Sequence, residues 1–332
     1  GMNPLKETSV VIVAYNHIDY IEKCLKSLFY VELEIIVVDN NSNDGTPEFI
    51  EKNFPNVKLI RNSVNLGYGA GNNLGVNNSS RNYIVILNPD TKLEPYSINN
   101  LLKPIKNNKN LVTIPKVLLY DGERINTCGN KLHYTGMAFT RGEGEKPENR
   151  NESRIVNGLS GVCFAISKNN YHKLGGFDEN IFLYMEDSEI SWKINALGLK
   201  IMYVPESIVY HDYDFKVSAE KLYHVEKGRY IILRKYLSRK EYFIMLPSLI
   251  TTEILTWGYA FLNGPKGALF KLKAIHDSSN VNFEKIECNR KLLLQQMNTN
   301  IPPLDFKFNN LFMVFRKLAN LIYRTNRKLL KI

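Results

Sequence analysis

The chain has 332 residues, of which 44% are hydrophobic and 11% aromatic, and its formal net charge is +10. This length and composition suit one large folded domain with an appended region, and they exclude an intrinsically disordered protein. The charge is uneven, because residues 216–332 carry 21 basic and 8 acidic side chains, a net of +13, whereas residues 1–215 sum to −3.

The basic excess in residues 216–332 predicts a polyanionic partner, either nucleic acid or anionic lipid. At the other end of the chain, Asn3–Ser9 is polar and the apolar run Val10–Ala14 is too short for the hydrophobic region of a signal peptide. The four cysteines show no metal-ligand spacing, which is typical of reduced thiols. We therefore expect a cytoplasmic protein.

Residues 9–120 alternate short β-branched runs with helical patterns. The predicted strands are Ser9–Tyr15, Glu34–Asp39, Val57–Arg61, Tyr83–Leu87 and Leu111–Ile114. Continuous apolar strands separated by helices predict a parallel sheet that is covered on both faces. Ligands bind such sheets beyond the carboxyl ends of the strands, so the residues there are the candidates for a site.

Three of these strands end in polar residues, which would converge on one crevice. The three ends are Ala14-Tyr15-Asn16, Asp39-Asn40-Asn41-Ser42 and Asn88-Pro89-Asp90. The Asp39 carboxylate can accept the ring N–H of uracil or thymine, and the Asn16 and Asn41 amides offer further polar contacts. The alternative is that Asp39 only caps the turn that follows it, together with Asn43 and Gly45.

A glycine-rich segment, Asn65–Asn73, enters the next predicted helix. Its glycines allow a close approach of the backbone to a ligand, and a helix N-terminus favours anions. Asp90 ends the apolar strand that follows, and a carboxylate oxygen there suits Mg²⁺ or Mn²⁺. The alternative role of Asp90 is to cap the next helix, since Thr91 and Glu94 follow it.

Three carboxylates lie close together at the start of a predicted helix: Glu186, Asp187 and Glu189. The helix dipole favours acidic residues there, so simple capping is one interpretation. Mutual repulsion nevertheless makes such a cluster costly, and a carboxylate facing the crevice can act as a general base, the role we favour for Asp187. His211 ends a later strand, and its interest depends on whether that strand end meets Asp90.

The C-terminal region differs in kind from the rest. Ser218–Leu237 is a predicted basic helix, and Tyr242–Leu262 contains a single charge, Glu253. The length of that run permits a membrane span, although Pro247 and Glu253 weaken the case. Phe312–Ile332 mixes apolar and basic residues, as an interfacial amphipathic helix does. Contact with a membrane surface, ordinary packing on the body and a span are the three alternatives.

Taken in order, these segments resemble the family 2 glycosyltransferases of the GT-A fold. The resemblance covers about residues 9–212, in the segments VVIVAYN (10–16), EIIVVDNNSNDGT (34–46), LIRNSVNLGYGAGNNLG (59–75), YIVILNPDT (83–91), NGLSGVCFAI (157–166), GGFDENIF (175–182), YMEDSEISWKINALG (184–198) and YVPESIVYH (203–211).

The resemblance implies an α/β nucleotide-binding sandwich with a mostly parallel central sheet and a C-terminal helical extension. Its GT-A catalytic domain would span residues 1–215, with a nucleotide-sugar-binding half at about 9–120 and an acceptor half at about 121–215. Residues 216–332 would form the basic helical region.

The resemblance also implies roles for individual residues. The nucleotide-sugar-binding positions are Ala14, Tyr15, Asn16, Asp39, Asn41, Asn65, Gly67, Asn88 and Asp90. Asp187 matches the catalytic base, and Asp90 and His211 match positions that hold a divalent cation, Mg²⁺ or Mn²⁺. Many family members have Asp-x-Asp where this chain has Asn88-Pro89-Asp90, so we expect weaker metal binding.

Members of this family invert the anomeric centre as they move a sugar from a nucleotide diphosphate to an acceptor hydroxyl. The sequence lacks the Gln-x-x-Arg-Trp motif of processive synthases, so we expect one sugar per encounter. NLGYGAGNNLG together with NPDT resembles bacterial rhamnosyltransferases, whose donor is dTDP-L-rhamnose; a UDP-sugar is the other donor considered. The expected acceptor is a carbohydrate or lipid-linked saccharide of cell-surface polysaccharide or glycolipid synthesis, at the inner face of the membrane.

Two other functions compete with this one. A sugar-phosphate nucleotidyltransferase usually needs an N-terminal glycine-rich loop followed by Arg and Lys, which Ala14–Ile18 lacks. A non-enzymatic nucleic-acid-binding protein would use the basic C-terminal region. That region joins its basic residues to long apolar runs rather than to a recognisable reader module, so lipid is favoured and no nucleic acid is expected.

Overall fold

The computed structural model describes residues 3–29, 32–214, 218–303 and 309–331. The chain divides into two compact units, Gly1–Asn130 with Thr140–Phe215, and Lys131–Phe139 with Lys216–Ile332. The predicted domain boundary between residues 215 and 216 lies outside the described residues. Each unit is described by itself below.

Twelve strands are formed by the described residues. They are β1 (Thr8–Ala14), β2 (Glu34–Asp39), β3 (Lys58–Arg61), β4 (Tyr83–Leu87), β5 (Thr91–Leu93), β6 (Leu111–Leu119), β7 (Ile125–Thr127), β8 (Asn130–Leu132), β9 (Ala138–Thr140), β10 (Arg154–Val156), β11 (Cys163–Ser167) and β12 (Lys200–His211).

The first unit also holds six α-helices in its described part. They are α1 (Ile21–Lys26), α2 (Thr46–Asn53), α3 (Tyr68–Asn77), α4 (Ser97–Asn107), α5 (Lys168–Leu174) and α6 (Glu186–Ala196). Short 3₁₀ helices lie at Pro4–Glu7 and Pro147–Asn149.

A ten-stranded sheet forms the framework of the first unit. Eight strands follow the order β10-β12-β6-β11-β4-β1-β2-β3, while β5 pairs with β12 and β7 with β6. Four of the seven neighbouring pairs along that order, all within the described chain, are parallel. The predicted mostly parallel α/β sandwich is thereby confirmed.

The sheet is covered on both faces, because alternate residues of each central strand enter different cores. In β1, Val10 and Ile12 pack in one core with residues of α1 and α4. Val11 packs in the other core with residues of α5 and α6. Such burial explains why the strand sequences are continuously apolar rather than alternating.

Strand β6 extends to Leu119, five residues beyond the predicted end at Ile114. Pro115 lies within this strand, although proline cannot donate a hydrogen bond to the sheet. It is tolerated because it pairs with Val204 at the point where β12 bulges between Val204 and Ile208.

The second unit is helical apart from the tip of the β8–β9 hairpin. Its helices are α7 (Ala219–Tyr236), α8 (Arg239–Ile244), α9 (Leu246–Leu262), α10 (Gly264–Ser279), α11 (Arg290–Gln295) and α12 (Asn309–Lys328), followed by a 3₁₀ turn at Leu329–Lys331. The predicted C-terminal helical extension is confirmed. The apolar run Tyr242–Leu262 is divided at Met245, after which Pro247 occupies the first turn of α9. Within the described chain, every helix is too short or too polar to cross a bilayer.

A buried ionic cluster links α7, α9 and α10 in the second unit. The Glu226 carboxylate accepts hydrogen bonds from Arg229 (2.7 Å) and from Lys271 Nζ (2.5 Å), and Glu253 accepts a further one from Arg229 (2.6 Å). Burial alone would raise the pKa of Glu226, but Arg229 and Lys271 outweigh it and lower that pKa to about 2. The resulting stabilisation is complete above the ordinary value of 4.5 and is lost as the pH falls towards 2.

We predict that Glu226→Gln lowers the free energy of unfolding by about 3 kcal/mol, because two buried cations lose their main counter-charge. Thermal unfolding followed by circular dichroism measures the change. Glu22→Gln is the control, since Glu22 and Lys26 form an exposed ion pair at 2.7 Å whose loss should cost less than about 0.5 kcal/mol. Equal effects of the two substitutions would contradict a stabilising role for the buried cluster.

Candidate functional site

The carboxyl ends of β1, β2 and β4 lie at one edge of the sheet. The parallel register pairs Ala14 with Asp39 and Ile12 with Leu87, so the polar residues that follow these strands share that edge. Asn16 and Asn41 both adopt left-handed backbone conformations, with φ of 57° and 68°. Asparagine tolerates this region better than most residues, which explains its use in the two turns.

The loops after β1 and β2 are tied together by side chains. Asn16 N–H donates to Ser42 Oγ (2.8 Å), and Asn16 Oδ1 accepts from Asn43 N–H (2.9 Å). Tyr15 is 47% exposed at this edge, whereas Ala14 is fully buried at the end of β1. Tyr15 and Asn16, two of the predicted nucleotide-binding residues, therefore have side chains exposed at this edge, whereas Ala14 can offer only its backbone to a ligand.

Asp39 is buried and caps its own turn. One carboxylate oxygen accepts from Ser42 N–H (2.9 Å) and the other from Ser42 Oγ (2.6 Å). Asp39 therefore caps its turn, as the alternative interpretation expected, but through hydrogen bonds from Ser42 instead of contacts with Asn43 and Gly45. Each carboxylate oxygen can accept more than one hydrogen bond, so capping leaves acceptor capacity on Asp39.

The glycine-rich segment is joined to the turn after β2. The buried Asn40 donates from Nδ2 to the Gly67 carbonyl (3.0 Å), and Asn65 Oδ1 accepts from Gly67 N–H (2.9 Å). Gly67 has φ +89° and ψ 172°, a conformation essentially restricted to glycine. A Cβ on Gly67 would lie 2.7 Å from the carbonyl oxygen of Phe182, so the backbones of these two segments are in close contact.

Asp187 lies half-buried in the first turn of α6. Ser188 N–H donates to its Oδ1 (2.8 Å), while Gly161 N–H (3.2 Å) and Asn130 Nδ2 (3.5 Å) donate to its Oδ2. The next residue after Gly161, Val162, accepts a hydrogen bond from Asn88 N–H (2.9 Å). Residues 161–162 therefore connect the carboxylate of Asp187 to the polar end of β4.

The turn before α6 is strained, because Tyr184 and Met185 have φ of 55° and 58°. Burial raises the pKa of Asp187, and its N–H donors oppose that rise. Burial also raises the pKa of Glu186, and the charge of Asp187 raises it further. Glu189 is the third carboxylate of the cluster. Its Oε1 lies 3.4 Å from Lys193 Nζ, so the charge of Glu189 is balanced by Lys193.

Asp90 and His211 are brought together by the pairing of β5 with β12, which sets Thr91 opposite His211. His211 Nε2 lies 3.2 Å from Asp90 Oδ1, and His211 Nδ1 lies 2.8 Å from Asn126 Oδ1. Apart from that contact of Asp90 with His211, the buried Oδ1 atoms of Asp90 and Asn88 have no hydrogen-bond partner among the described residues. Across the described ranges, no group of three or more His, Cys, Asp or Glu side chains could hold a metal ion.

His17 is a member of this site that the sequence did not single out. The ring Nδ1 of His17 accepts a hydrogen bond from Tyr15 N–H (2.9 Å), and the backbone N–H of His17 donates one to Thr46 Oγ1 (3.2 Å). Burial lowers the pKa of His17, and the charges of Asp90, Asp44 and Asp39 oppose that effect. Only the fold brings the three carboxylates, which lie at or just after the ends of two different strands, near this ring. Gly161 was likewise missed, although it lies within one of the quoted motifs.

Comparisons with known proteins identify the family of the chain and its fold. The model of the glycosyl transferase family 2 matches residues 9–175. The chain is 27% identical over 254 residues to N-acetylglucosaminyl-diphospho-decaprenol L-rhamnosyltransferase of Mycobacterium tuberculosis. The aligned segment covers 68% of this chain and 83% of that relative.

Two solved structures share the fold. S. aureus TarS 1–349 in complex with UDP-GlcNAc has a TM-score of 0.57 and 16% identity, covering 97% of this chain and 90% of that one. GalNAc-T7 with UDP, GalNAc and Mn²⁺ has a TM-score of 0.59 and 18% identity, covering 82% of this chain and 54% of that one. At these identities the likeness concerns the fold alone.

We predict that Gly67→Ala lowers the free energy of unfolding by more than about 2 kcal/mol, because it combines a strained backbone with a clash against Phe182. Gly45→Ala is the matched control: Gly45 also has a positive φ, +92°, but a Cβ there meets nothing within 4 Å. The free energy of unfolding should fall by only about 1 kcal/mol in this control. Denaturant unfolding of both variants tests whether the contact with Phe182 adds to the backbone strain.

Proposed function

Since the chain belongs to glycosyl transferase family 2 and is therefore a glycosyltransferase, we propose that it moves one sugar, with inversion, from a nucleotide diphosphate to an acceptor hydroxyl, using Asp187 as base. The observation that carries this proposal is a continuous set of hydrogen bonds around one sheet edge. Asn40 binds Gly67, Tyr68 N–H donates to Phe182 and its hydroxyl to Gly161, and Gly161 N–H binds Asp187.

Asp187 is suited to take the proton of the acceptor. As the acceptor oxygen attacks the anomeric carbon, its proton passes to the Asp187 carboxylate, and the bond to the nucleoside diphosphate breaks on the opposite face of the sugar. Burial raises the pKa of Asp187, which makes the carboxylate a stronger base than an exposed aspartate. The N–H groups of Gly161 and Ser188 hold it in one orientation.

The nucleotide would lie over the ends of β1 and β2. Asp39 would accept the ring N–H of a pyrimidine, with Tyr15, Asn16 and Asn41 around the base and ribose and Ala14 closing the strand end. Asn65 and Gly67 would form the opposite wall, because the Gly67 carbonyl is fixed to Asn40 and the Gly67 N–H to the Asn65 side chain. Gly67 keeps this wall close to Phe182, since a side chain there would collide with the carbonyl of that residue.

The residues around Asp90 fit a divalent cation, Mg²⁺ or Mn²⁺. Asn88 Oδ1 is a buried oxygen without a hydrogen-bond partner in the described chain, and Asp90 Oδ1 lies 3.2 Å from His211 Nε2. His211 is oriented by Asn126, as metal-bound histidines usually are by a second group. When bound, the cation would neutralise the negative charge of the departing diphosphate. GalNAc-T7, whose fold is similar, was solved with Mn²⁺.

The donor we favour is dTDP-L-rhamnose, and the acceptor a saccharide linked to a lipid diphosphate. Two observations support this choice. The mycobacterial relative, most of whose length aligns with this chain, is named for that activity, and residues 65–75 and 88–91 carry the motifs described above. A UDP-sugar is the second candidate, since TarS binds UDP-GlcNAc. Family membership argues against the nucleotidyltransferase and nucleic-acid-binding alternatives. The lipid-linked acceptor would place the enzyme at the inner face of the membrane.

We predict that Asp187→Asn reduces kcat about 1,000-fold, because the amide cannot accept the acceptor proton, while nucleotide affinity changes less than about twofold. Transfer is measured with a panel of dTDP-, UDP- and GDP-sugars, and nucleotide binding by calorimetry. Glu179→Gln, which changes an exposed acid preceding α6, is the control and should retain activity. Loss of nucleotide binding together with activity would indicate a structural role for Asp187 instead.

We predict opposite effects for two substitutions at the proposed cation site. Asp90→Asn should abolish the increase in dTDP affinity that Mn²⁺ produces, whereas Asn88→Asp should lower the half-saturating Mn²⁺ concentration about fivefold, since it adds a carboxylate. Calorimetric titration of dTDP at several Mn²⁺ concentrations measures both. Asp121→Asn, an exposed acid elsewhere, is the control. A Mn²⁺ effect that survives Asp90→Asn unchanged would disprove this assignment.

A further inference from the structure

Helix α9 has its polar side turned inward. Its buried side contains Ser248, Thr251, Thr252 and Ala260. Ser248 Oγ donates to Asn326 Oδ1 (2.5 Å), and Thr252 Oγ1 hydrogen-bonds the hydroxyl of Tyr323 (2.7 Å), so the packing of α9 against α12 is largely polar. The usual arrangement of a surface helix is the reverse.

The outward side of α9 is apolar. Its exposed residues recur at helical spacing and are Leu246 (46% exposed), Ile250 (55%), Ile254 (57%), Phe261 (66%) and Leu262 (68%). Trp257 packs against Phe261, with ring centroids 5.8 Å apart. It lines a surface cavity of about 330 Å³ with Leu249, Ile250, Ile254 and one acidic residue, Glu253, whose carboxylate is paired inward with Arg229. A stripe of this kind extends along a helix that is about 25 Å long.

Helix α10 repeats the pattern. Its buried residues are Gly267, Lys271, Ala274 and Ser278, whereas Leu269 (65% exposed), Leu272 (53%) and Ile275 (38%) face outward. The two helices are in close contact, because a Cβ on Gly267 would collide with the carbonyl of Ala260. The outward residues of both helices, named above, are called the α9–α10 face.

A face of this size calls for an apolar partner, because monomeric proteins rarely expose contiguous apolar patches beyond a few hundred Å². Exposed Lys266 and Lys273 lie on α10 among its leucines, and residues 216–332 have a net charge of +13. A second copy would bring two such positive regions together, at an electrostatic cost. An anionic bilayer offers both an apolar interior and opposite charge.

We propose that the α9–α10 face docks on an anionic lipid surface, with its apolar side chains in the boundary between headgroups and acyl chains and its lysines at the headgroups. This inference rests on the proposed function in one respect, since a lipid-linked acceptor requires an enzyme at the membrane. The sequence favoured Phe312–Ile332 as the interfacial helix. Helix α12 also exposes apolar side chains, those of Leu311, Met313, Val314, Leu318 and Leu321. Exposed Lys317 and Arg324 lie among them, so the exposed side of α12 carries more charge than that of α9.

The test is co-sedimentation of the full chain with vesicles of about 70% phosphatidylcholine and 30% phosphatidylglycerol, compared with pure phosphatidylcholine. Ile250→Glu with Ile254→Glu should weaken partitioning at least about tenfold, because two apolar groups are replaced by charges that anionic lipid repels. Ile155→Glu, at a residue 50% exposed on β10 in the first unit, should bind as the unmodified chain does. Circular dichroism establishes that the variants are folded.

Three results would overturn the proposal. They are unchanged binding of the double variant, equal binding of the unmodified chain to neutral and anionic vesicles, and a dimer in lipid-free solution that the double substitution dissociates. Light scattering reports the last of these. Sugar transfer to a water-soluble acceptor separates this proposal from the proposed function. The double variant should retain this transfer activity. If the unmodified chain binds vesicles but shows no transfer, the result counts against the proposed function only.

Discussion

The parallel register of β1, β2 and β4 is the constraint on which the candidate site depends. Because Ala14 lies opposite Asp39 and Ile12 opposite Leu87, three loops that are distant in sequence begin at the same edge of the sheet. A shift of one residue in any of these strands would move its apolar side chains from one core to the other. The two cores therefore fix the register, and the register fixes where the polar loops meet.

Strand register alone leaves the loops free, and hydrogen bonds then define their conformations. Left-handed residues close the turns after β1, after β2 and before α6, and Gly67 has a conformation that other residues rarely adopt. Each of these positions costs conformational energy, which the packing around it must offset. Their concentration at one edge, beside Asp187 with its raised pKa, is the pattern expected where a chain is selected for chemistry as well as stability.

Much of this arrangement was predictable from the sequence. Continuous apolar strands identified the sheet, and the strand-end rule identified the edge at which Asp39 and Asp90 lie. The sequence could not show that His17 lies near three carboxylates, or that Asn130 and Gly161 hold Asp187, because these contacts join residues far apart in the chain. It also grouped Glu189 with Asp187, whereas the side chain of Glu189 is compensated by Lys193.

The second unit shows a different limit of sequence analysis. A helical period tells which residues share a side of a helix, but deciding which side faces inward relies on the assumption that apolar residues are buried. In α9 that assumption fails, because Ser248 and Thr252 find partners in Asn326 and Tyr323 and so lose little on burial. Once the inward contacts are polar, the leucines and isoleucines must face out. The stability of this unit and its attraction to an apolar partner therefore come from opposite sides of the same helix.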